Sequence, residues 1–108
     1  MAESNTRRKI AVILATDVVG YSTKMEANEE QTLKNLKICR NIIDELIEEH
    51  HGRIFNTAGD SILAEFQSAV EAVICGSEFQ NTIKERNNSV SLKEQMEFRL
   101  GINMGDVV

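Results

Sequence analysis

The sequence predicts an α+β domain of the ferredoxin-like class, in which two helices cover one face of a four-stranded antiparallel sheet. Three observations lead to this prediction. Strand and helix patterns follow one another in the order β-α-β-β-α-β, a short hairpin stands in the middle of the chain, and 108 residues are enough for one core. The hairpin argues against the alternative, a doubly wound parallel sheet, because parallel strands need a long crossover connection.

The first strand and the first long helix are predicted from their apolar patterns. Residues 10–15 form a continuous, β-branched apolar run that is typical of a strand buried on both faces. Residues 17–22 follow as a glycine turn. Residues 29–49 have helical spacing, and Gly52 is a stop signal just beyond them. The predicted apolar stripe of this helix consists of Leu33, Leu36, Ile42, Ile43, Leu46 and Ile47.

The central hairpin consists of two short strand candidates, residues 53–57 and 61–66, joined by Ala58-Gly59-Asp60. Ser68 then stands three residues before Glu71, which is the spacing of a capping box at the start of a helix.

The second half ends with a helix and a strand. The helix is predicted over residues 69–86 and the strand over residues 96–103. Asp106, which follows Gly105, is expected to be a turn residue. The side chains that we expect the helix to bury are Val70, Val73, Ile74 and Ile83, or their neighbours.

Composition excludes several classes of protein. The chain carries 17 acidic and 12 basic residues, a net charge of −5, which argues against a nucleic-acid binder. No apolar run approaches the roughly 20 residues of a membrane span. Residues 1–8 are polar, so we expect a flexible N-terminus rather than a signal peptide.

The cysteines and histidines have ordinary structural interpretations. Cys39 and Cys75 stand far apart, without the spacing of a zinc site or a disulfide scaffold, so we expect small core residues and a cytoplasmic location. The neighbouring His50 and His51 are expected to form a solvated helix end.

Two aspartates are expected to meet at one edge of the sheet. In a split β-α-β unit, the C-terminal end of the first strand lies beside the hairpin that joins the second and third strands, which brings Asp17 close to Asp60. Each residue taken alone is also typical of a turn. As a pair, the two carboxylates repel each other unless a cation such as Mg²⁺ lies between them. The turn at Gly20 could then face a phosphate with its backbone N–H groups.

The segments around these aspartates resemble a known family. Residues 13–22, ILATDVVGYS, resemble the first metal motif of the class III nucleotide cyclases, and residues 57–60, TAGD, resemble the second. Residues 101–108, GINMGDVV, are similar to the strand and turn that follow. The resemblance extends over residues 9–108, and the bacterial adenylate/guanylate cyclases are the branch it favours.

This resemblance implies an enzyme that converts ATP, or less readily GTP, into a 3′,5′-cyclic nucleotide and pyrophosphate. It implies two Mg²⁺ or Mn²⁺ ions per site, bound by the side chains of Asp17 and Asp60 and by the backbone carbonyl of Val18. It also implies a homodimer whose sites each span two subunits, in intracellular signalling. The residues implied for the triphosphate-binding turn are Val19, Gly20, Tyr21 and Ser22.

Two departures from the family pattern leave a second interpretation open. Asn56 stands where many adenylate cyclases have a lysine that reads the base. The chain ends at Val108, before the asparagine and arginine that in the family bind ribose and stabilise the transition state. We therefore expect residues 9–108 to be the N-terminal, metal-binding part of a cyclase domain, without turnover of their own. The alternative is an inactive cyclase-like module that regulates or dimerises.

Two further classes fit the sequence less well. A phospho-accepting receiver domain would explain Asp17 after a buried strand, but not the hairpin or the long first helix. A diguanylate cyclase would share the fold, but its Gly-Gly-acidic motif is absent from the sequence.

Overall fold

A computed structural model describes residues 9–107, in which a four-stranded sheet carries its helices on one face. A 3-10 turn, Leu92–Glu94, precedes the last strand. In chain order the strands and α-helices are β1 (Lys9–Val18), α1 (Tyr21–Ala27), α2 (Glu29–Glu49), β2 (Arg53–Ala58), β3 (Ser61–Phe66), α3 (Ala69–Asn88) and β4 (Phe98–Val107). None of the helices in this part of the chain has the length and apolar character needed to cross a membrane.

The sheet has the strand order β2-β3-β1-β4, and each pair of neighbours is antiparallel. Consequently β1 and β2 run parallel with β3 between them, and the predicted ferredoxin-like α+β fold is confirmed. The hairpin prediction is confirmed as well, since β2 and β3 pair directly. A register shift between Ile54 and Asn56 interrupts the ladder in β2.

Helix α1 is an element that the sequence analysis missed. It begins immediately after Gly20, whose φ of 67° turns the chain out of β1. Its residues include none that is fully buried, so it lacks the apolar stripe by which a helix is recognised in a sequence. Asn28 separates α1 from α2 and caps α2 by accepting a 3.0 Å hydrogen bond from the backbone N–H of Gln31.

The apolar stripe of α2 is confirmed except at its first position. Leu36, Ile43 and Ile47 are buried, whereas Leu33 is 44% exposed. At this end of the helix the inward positions are held by two polar side chains, Thr32 and Asn35.

Helix α3 packs through a different face from the one predicted. Three of the four side chains expected in the core are exposed: Val70 by 67%, Val73 by 57% and Ile74 by 44%. The helix instead turns small residues toward the sheet, and a Cβ atom added to Gly76 would lie 2.9 Å from Leu100. Small side chains allow this close approach, which a pattern of large apolar residues does not reveal. The residues that α3 buries are Ala72, Cys75, Gly76, Phe79 and Ile83.

Strand β4 is longer than predicted. It continues beyond residue 103, and Asp106 pairs with Ile10 of β1, so the interpretation of Asp106 as a turn residue was wrong. Ten consecutive pairs with β1 explain the extension, because the long first strand offers a partner along its whole length. The predicted flexible N-terminus, residues 1–8, lies outside the described residues.

Candidate metal and nucleotide site

Asp17 lies on the open face of the sheet, near the C-terminal end of β1. Successive side chains of a strand point to opposite faces. Four alternate residues of β1 are buried under the helices, which places Asp17 on the other face with its side chain 36% exposed. The buried residues are Val12, Leu14, Thr16 and Val18.

Asp60 reaches the same point from the hairpin between β2 and β3. Gly59 has a φ of 58°, and this tight turn brings the side chain of Asp60 over the end of β1. There its Oδ2 atom accepts a 2.9 Å hydrogen bond from the backbone N–H of Val18. The structure therefore brings Asp17 and Asp60 to one edge of the sheet, as the strand order predicts.

Arg99 is the residue of this site that the sequence analysis did not identify. It lies opposite Asp17 in the register of β1 and β4. Its Nε atom donates to Asp17 Oδ1 at 2.9 Å, and its Nη2 atom donates to Asp17 Oδ2 at 3.2 Å. The alternation of Phe98 and Leu100 could have placed Arg99 on the open face, but only the register of the pair shows which residue it meets.

The site combines two acidic side chains, Asp17 and Asp60, with one basic side chain, Arg99. The hydrogen bond and charge of Asp17, with a further contribution from the charge of Asp60, raise the pKa of the Arg99 guanidinium. The guanidinium thus pairs with Asp17 and is also within the electrostatic influence of Asp60. The backbone of the site is held in place by the buried Thr16 hydroxyl, which donates a 2.6 Å hydrogen bond to the backbone carbonyl of Arg99.

The donor atoms fit a hard divalent cation that also binds a substrate. Asp60 contacts the backbone N–H of Val18, the residue directly after Asp17, so two carboxylates lie at the same end of β1. Mg²⁺ is typically bound by one or two carboxylates together with substrate phosphates and water. Over residues 9–107, no three His, Cys, Asp or Glu side chains form a group that could hold a metal ion alone. This set of donors suits an ion that arrives with a phosphorylated ligand better than a closed structural site.

The turn between β1 and α1 has only part of its backbone free for an anion. The N–H of Val19 donates to the carbonyl of Glu97 at 2.8 Å. Gly20 is the N-cap residue of α1, and no side chain accepts a capping hydrogen bond at this end of the helix. The first N–H groups of a helix have no partner within the helix, which leaves those of Tyr21 and Ser22 as donors. The ring of Tyr21 packs against the core.

Two depressions adjoin these residues. One, of about 170 Å³, lies on the open face beside Asp17 and Arg99 and also touches Leu63. The other, of about 390 Å³, lies between Gly20 and Lys24 of the turn region and the segment that precedes β4. Asp17 therefore opens onto a surface depression rather than into a closed cavity.

Asn56, the position considered for base reading, lies on β2 opposite Leu63 of β3. Its side chain is exposed and belongs to the same hairpin as Asp60. The register shift in β2 occurs immediately before it.

Comparison with known proteins connects this arrangement to one family. A family model described as the adenylate and guanylate cyclase catalytic domain matches residues 3–108. A protein of Rhizobium meliloti (strain 1021) named "Putative adenylate cyclase 3" is 38% identical over 109 residues, which is 100% of this chain and 19% of that protein.

Solved structures agree. The adenylate/guanylate cyclase/hydrolase from Silicibacter pomeroyi has a TM-score of 0.82 and 40% identity, over 93% of this chain and 59% of that chain. The guanylyl cyclase Cya2 has a TM-score of 0.80 and 31% identity, over 93% of this chain and 56% of that chain. The chain spans less than two thirds of the length of each relative. Since the family model covers nearly every residue, the chain belongs to the family of adenylate and guanylate cyclase catalytic domains.

Proposed function

We propose that this chain supplies the metal-binding half of a nucleotide cyclase site, which converts ATP, and less readily GTP, into a 3′,5′-cyclic nucleotide and pyrophosphate. The observation that carries the proposal is the meeting of Asp17 and Asp60 at one end of the sheet through the Val18 hydrogen bond. Membership of the cyclase family gives this acidic pair its chemical context. The relatives include one protein named as an adenylate cyclase and one named as a guanylyl cyclase, so the preference for ATP is part of our proposal and does not come from the comparisons.

In this proposal each residue has a defined task. The carboxylates of Asp17 and Asp60 and the carbonyl of Val18 would hold two Mg²⁺ or Mn²⁺ ions. When bound, such ions neutralise charge on the triphosphate and lower the pKa of the attacking ribose hydroxyl. The N–H groups of Tyr21 and Ser22 orient the triphosphate so that the 3′-oxygen lies in line with the α-phosphorus. The new bond joins these two atoms while the hydroxyl proton passes to water, and pyrophosphate leaves with the electron pair of the broken bond between the α-phosphorus and the α–β bridging oxygen.

Turnover requires more than these residues. The chain spans 59% and 56% of two cyclase structures, and the family resemblance implies a ribose-binding asparagine and a transition-state arginine in the part of such a domain that it does not span, as well as a homodimer whose sites draw on both subunits. Losing a single preorganised donor to the transition state typically costs about 10²–10³ in rate. We therefore expect the 108-residue chain to bind the metal–nucleotide complex without converting it at a useful rate. Two free, buried cysteines, Cys39 and Cys75, support a cytoplasmic location.

The test is a chimera in which this chain is continued by the part of the Silicibacter pomeroyi cyclase beyond the matched region. Cyclic AMP and cyclic GMP are measured from ATP and GTP with Mn²⁺ or Mg²⁺. We expect cyclic AMP to exceed cyclic GMP, and we expect the Asp17→Asn chimera to form neither. The absence of both products from a folded chimera would contradict the proposal.

The second candidate, an inactive cyclase-like module, is favoured by one observation. Asn56 replaces the lysine of many adenylate cyclases and lies exposed on the hairpin that carries Asp60. An Asn56→Lys chimera separates the two candidates. If base reading alone is altered, the substitution raises the preference for ATP, whereas an inactive module gains nothing from it.

A further inference from the structure

The guanidinium of Arg99 occupies both oxygens of Asp17. Nε and Nη2 of the arginine pair with Oδ1 and Oδ2 of the carboxylate at 2.9 Å and 3.2 Å, a forked arrangement that leaves neither oxygen without a strong donor. A carboxylate that binds a cation must direct at least one oxygen at it. The arginine and a metal ion would therefore compete for the same carboxylate oxygens of Asp17.

We infer that Arg99 competes with the divalent cation for Asp17, so that metal binding releases the guanidinium from this carboxylate. This inference rests on the proposed metal site and adds to it a positioning residue on β4 that sets how tightly the site binds metal. Arg99 acts here through Asp17, whose carboxylate it orients and partly neutralises.

The backbone beneath the pair is held by hydrogen bonds, while the arginine side chain is largely exposed to water. Thr16 holds the carbonyl of Arg99 at 2.6 Å, and β1 and β4 are paired on both sides of this position. The side chain of Arg99 is 71% exposed, so water can solvate the guanidinium as soon as it leaves Asp17. Metal binding can thus displace the arginine without separating the strands.

Electrostatics acts in the same direction. The guanidinium nitrogens lie 2.9 Å and 3.2 Å from the two oxygens of Asp17, one of the carboxylates proposed to hold metal. A positive charge at that distance repels an entering divalent cation, in addition to occupying its ligands. Removal of the charge should therefore increase metal affinity, although it removes an ion pair from the protein.

A calorimetric titration with Mn²⁺ alone tests the inference on the 108-residue chain. We expect Arg99→Gln to bind Mn²⁺ about 2- to 10-fold more tightly than the wild type, as expected for release of an exposed ion pair together with loss of a repelling charge. Unchanged or weaker binding by a folded Arg99→Gln variant would overturn the inference.

Arg53→Gln is the matched control. Arg53 is 70% exposed and donates a 2.8 Å hydrogen bond to Glu65, so it offers the same change of charge in a similar ion pair on another strand. We expect its Mn²⁺ affinity to match the wild type. An equal gain in both variants would show a general charge effect and would also overturn the inference.

Asp17→Asn separates this inference from the function on which it rests. If the wild type binds Mn²⁺ and Asp17→Asn does not, the metal site stands, and the Arg99 comparison decides the competition. If both bind equally, or neither binds, the metal site itself fails.

A measurement on the wild type avoids any doubt about folding of the variants. The Nε–H resonance of Arg99 is followed by NMR while Mg²⁺ is added, with the Nε–H of Arg53 as internal reference. We expect the exchange of the Arg99 proton with water to accelerate at the Mg²⁺ concentration that half-saturates the site. A signal that stays protected through saturation would contradict the release of Arg99.

Discussion

The Oδ2 atom of Asp60 accepts a 2.9 Å hydrogen bond from the backbone N–H of Val18. This bond joins the tip of the β2–β3 hairpin to the last residue of β1, directly after Asp17. It satisfies a backbone donor where β1 leaves the sheet, and at the same time it fixes the position of a carboxylate. The same contact thus contributes to stability and to the geometry of the proposed metal site.

Substitution of Asp60 separates these two contributions. We expect Asp60→Ala to lower the free energy of unfolding by about 1–2 kcal/mol, because the N–H of Val18 loses its acceptor. Asp60→Asn retains an oxygen acceptor and should cost less than about 0.5 kcal/mol, yet it should weaken Mn²⁺ binding as strongly as alanine does. Urea denaturation and calorimetry check the two effects. Asp44→Ala, which removes a carboxylate of α2 that pairs with Arg40 at 3.5 Å, is the control; it should leave Mn²⁺ binding unchanged and cost less than about 0.5 kcal/mol.

A second prediction concerns His50, which joins the end of α2 to α3. Its Nε2 atom lies 2.8 Å from Glu78 and its Nδ1 atom 3.2 Å from Glu71, so the expectation of a solvated His50 was wrong. The hydrogen bond to Glu78, opposed by partial burial and reinforced by Glu71, raises the pKa of His50. Hydrogen bonds from His51 and His50 lower the pKa of Glu71.

The pH dependence follows from these directions. The stability contributed by His50 is fully present below its unfolded pKa and is lost as pH rises through the raised folded pKa. The contribution of Glu71 is present above its unfolded pKa and is lost as pH falls through the lowered one. The advantage of the wild type over His50→Gln in thermal midpoint should therefore be large near about pH 5.5 and small near about pH 9. A constant difference over this range would contradict the account. His51→Gln, at an 83% exposed side chain, is the comparison variant.

Gly52 allows a close approach that no other residue would permit. A Cβ atom at this position would lie 2.6 Å from the buried ring of Phe66 and 2.8 Å from Ile47. We expect Gly52→Ala to destabilise the protein by about 1–3 kcal/mol through overpacking. Gly101→Ala, where a Cβ would meet nothing within 4 Å, is the control. If Gly52→Ala is as stable as Gly101→Ala, the packing around Gly52 is looser than the structure shows, and the prediction is wrong.

The two cysteines should be unreactive in the folded protein. Burial, with the charges of Glu78, Glu71 and Glu49, raises the pKa of Cys75 to about 11, and burial also raises that of Cys39. At about pH 8 we expect a thiol reagent to label them only as fast as the chain unfolds, because the thiolate is the reactive form. Rapid labelling of either cysteine without denaturant would contradict the buried positions.

Local patterns account for most of what could be predicted about the fold. The apolar run before Asp17 and the hairpin around Asp60 each come from a few adjacent residues, and the strand order then brings the two aspartates together. Helix α1 could not be found in this way, because it includes no fully buried residue. The inward face of α3 was misjudged because Gly76 approaches the sheet where larger apolar residues do not.

There is also a physical reason why the sequence analysis did not identify Arg99. Arg99 lies 82 residues from Asp17 in the sequence, and their pairing depends on the register of β4 against β1. A shift of one residue would turn Arg99 to the helical face. Periodicity predicts which residues lie on each face of a strand, whereas the register depends on the packing of both strands. The residue opposite Asp17 is therefore known only from the structure.

The most direct test of the central claim is metal-dependent binding of a triphosphate that cannot be cyclised. 3′-Deoxy-ATP lacks the attacking hydroxyl, and calorimetry measures its binding to the 108-residue chain with and without Mn²⁺. If Asp17 and Asp60 form the metal site, the wild type binds the nucleotide only with Mn²⁺, and the Asp17→Asn/Asp60→Asn double variant does not bind it. Equal binding by the wild type and a folded double variant, or binding by the wild type that does not depend on the metal, would contradict the account.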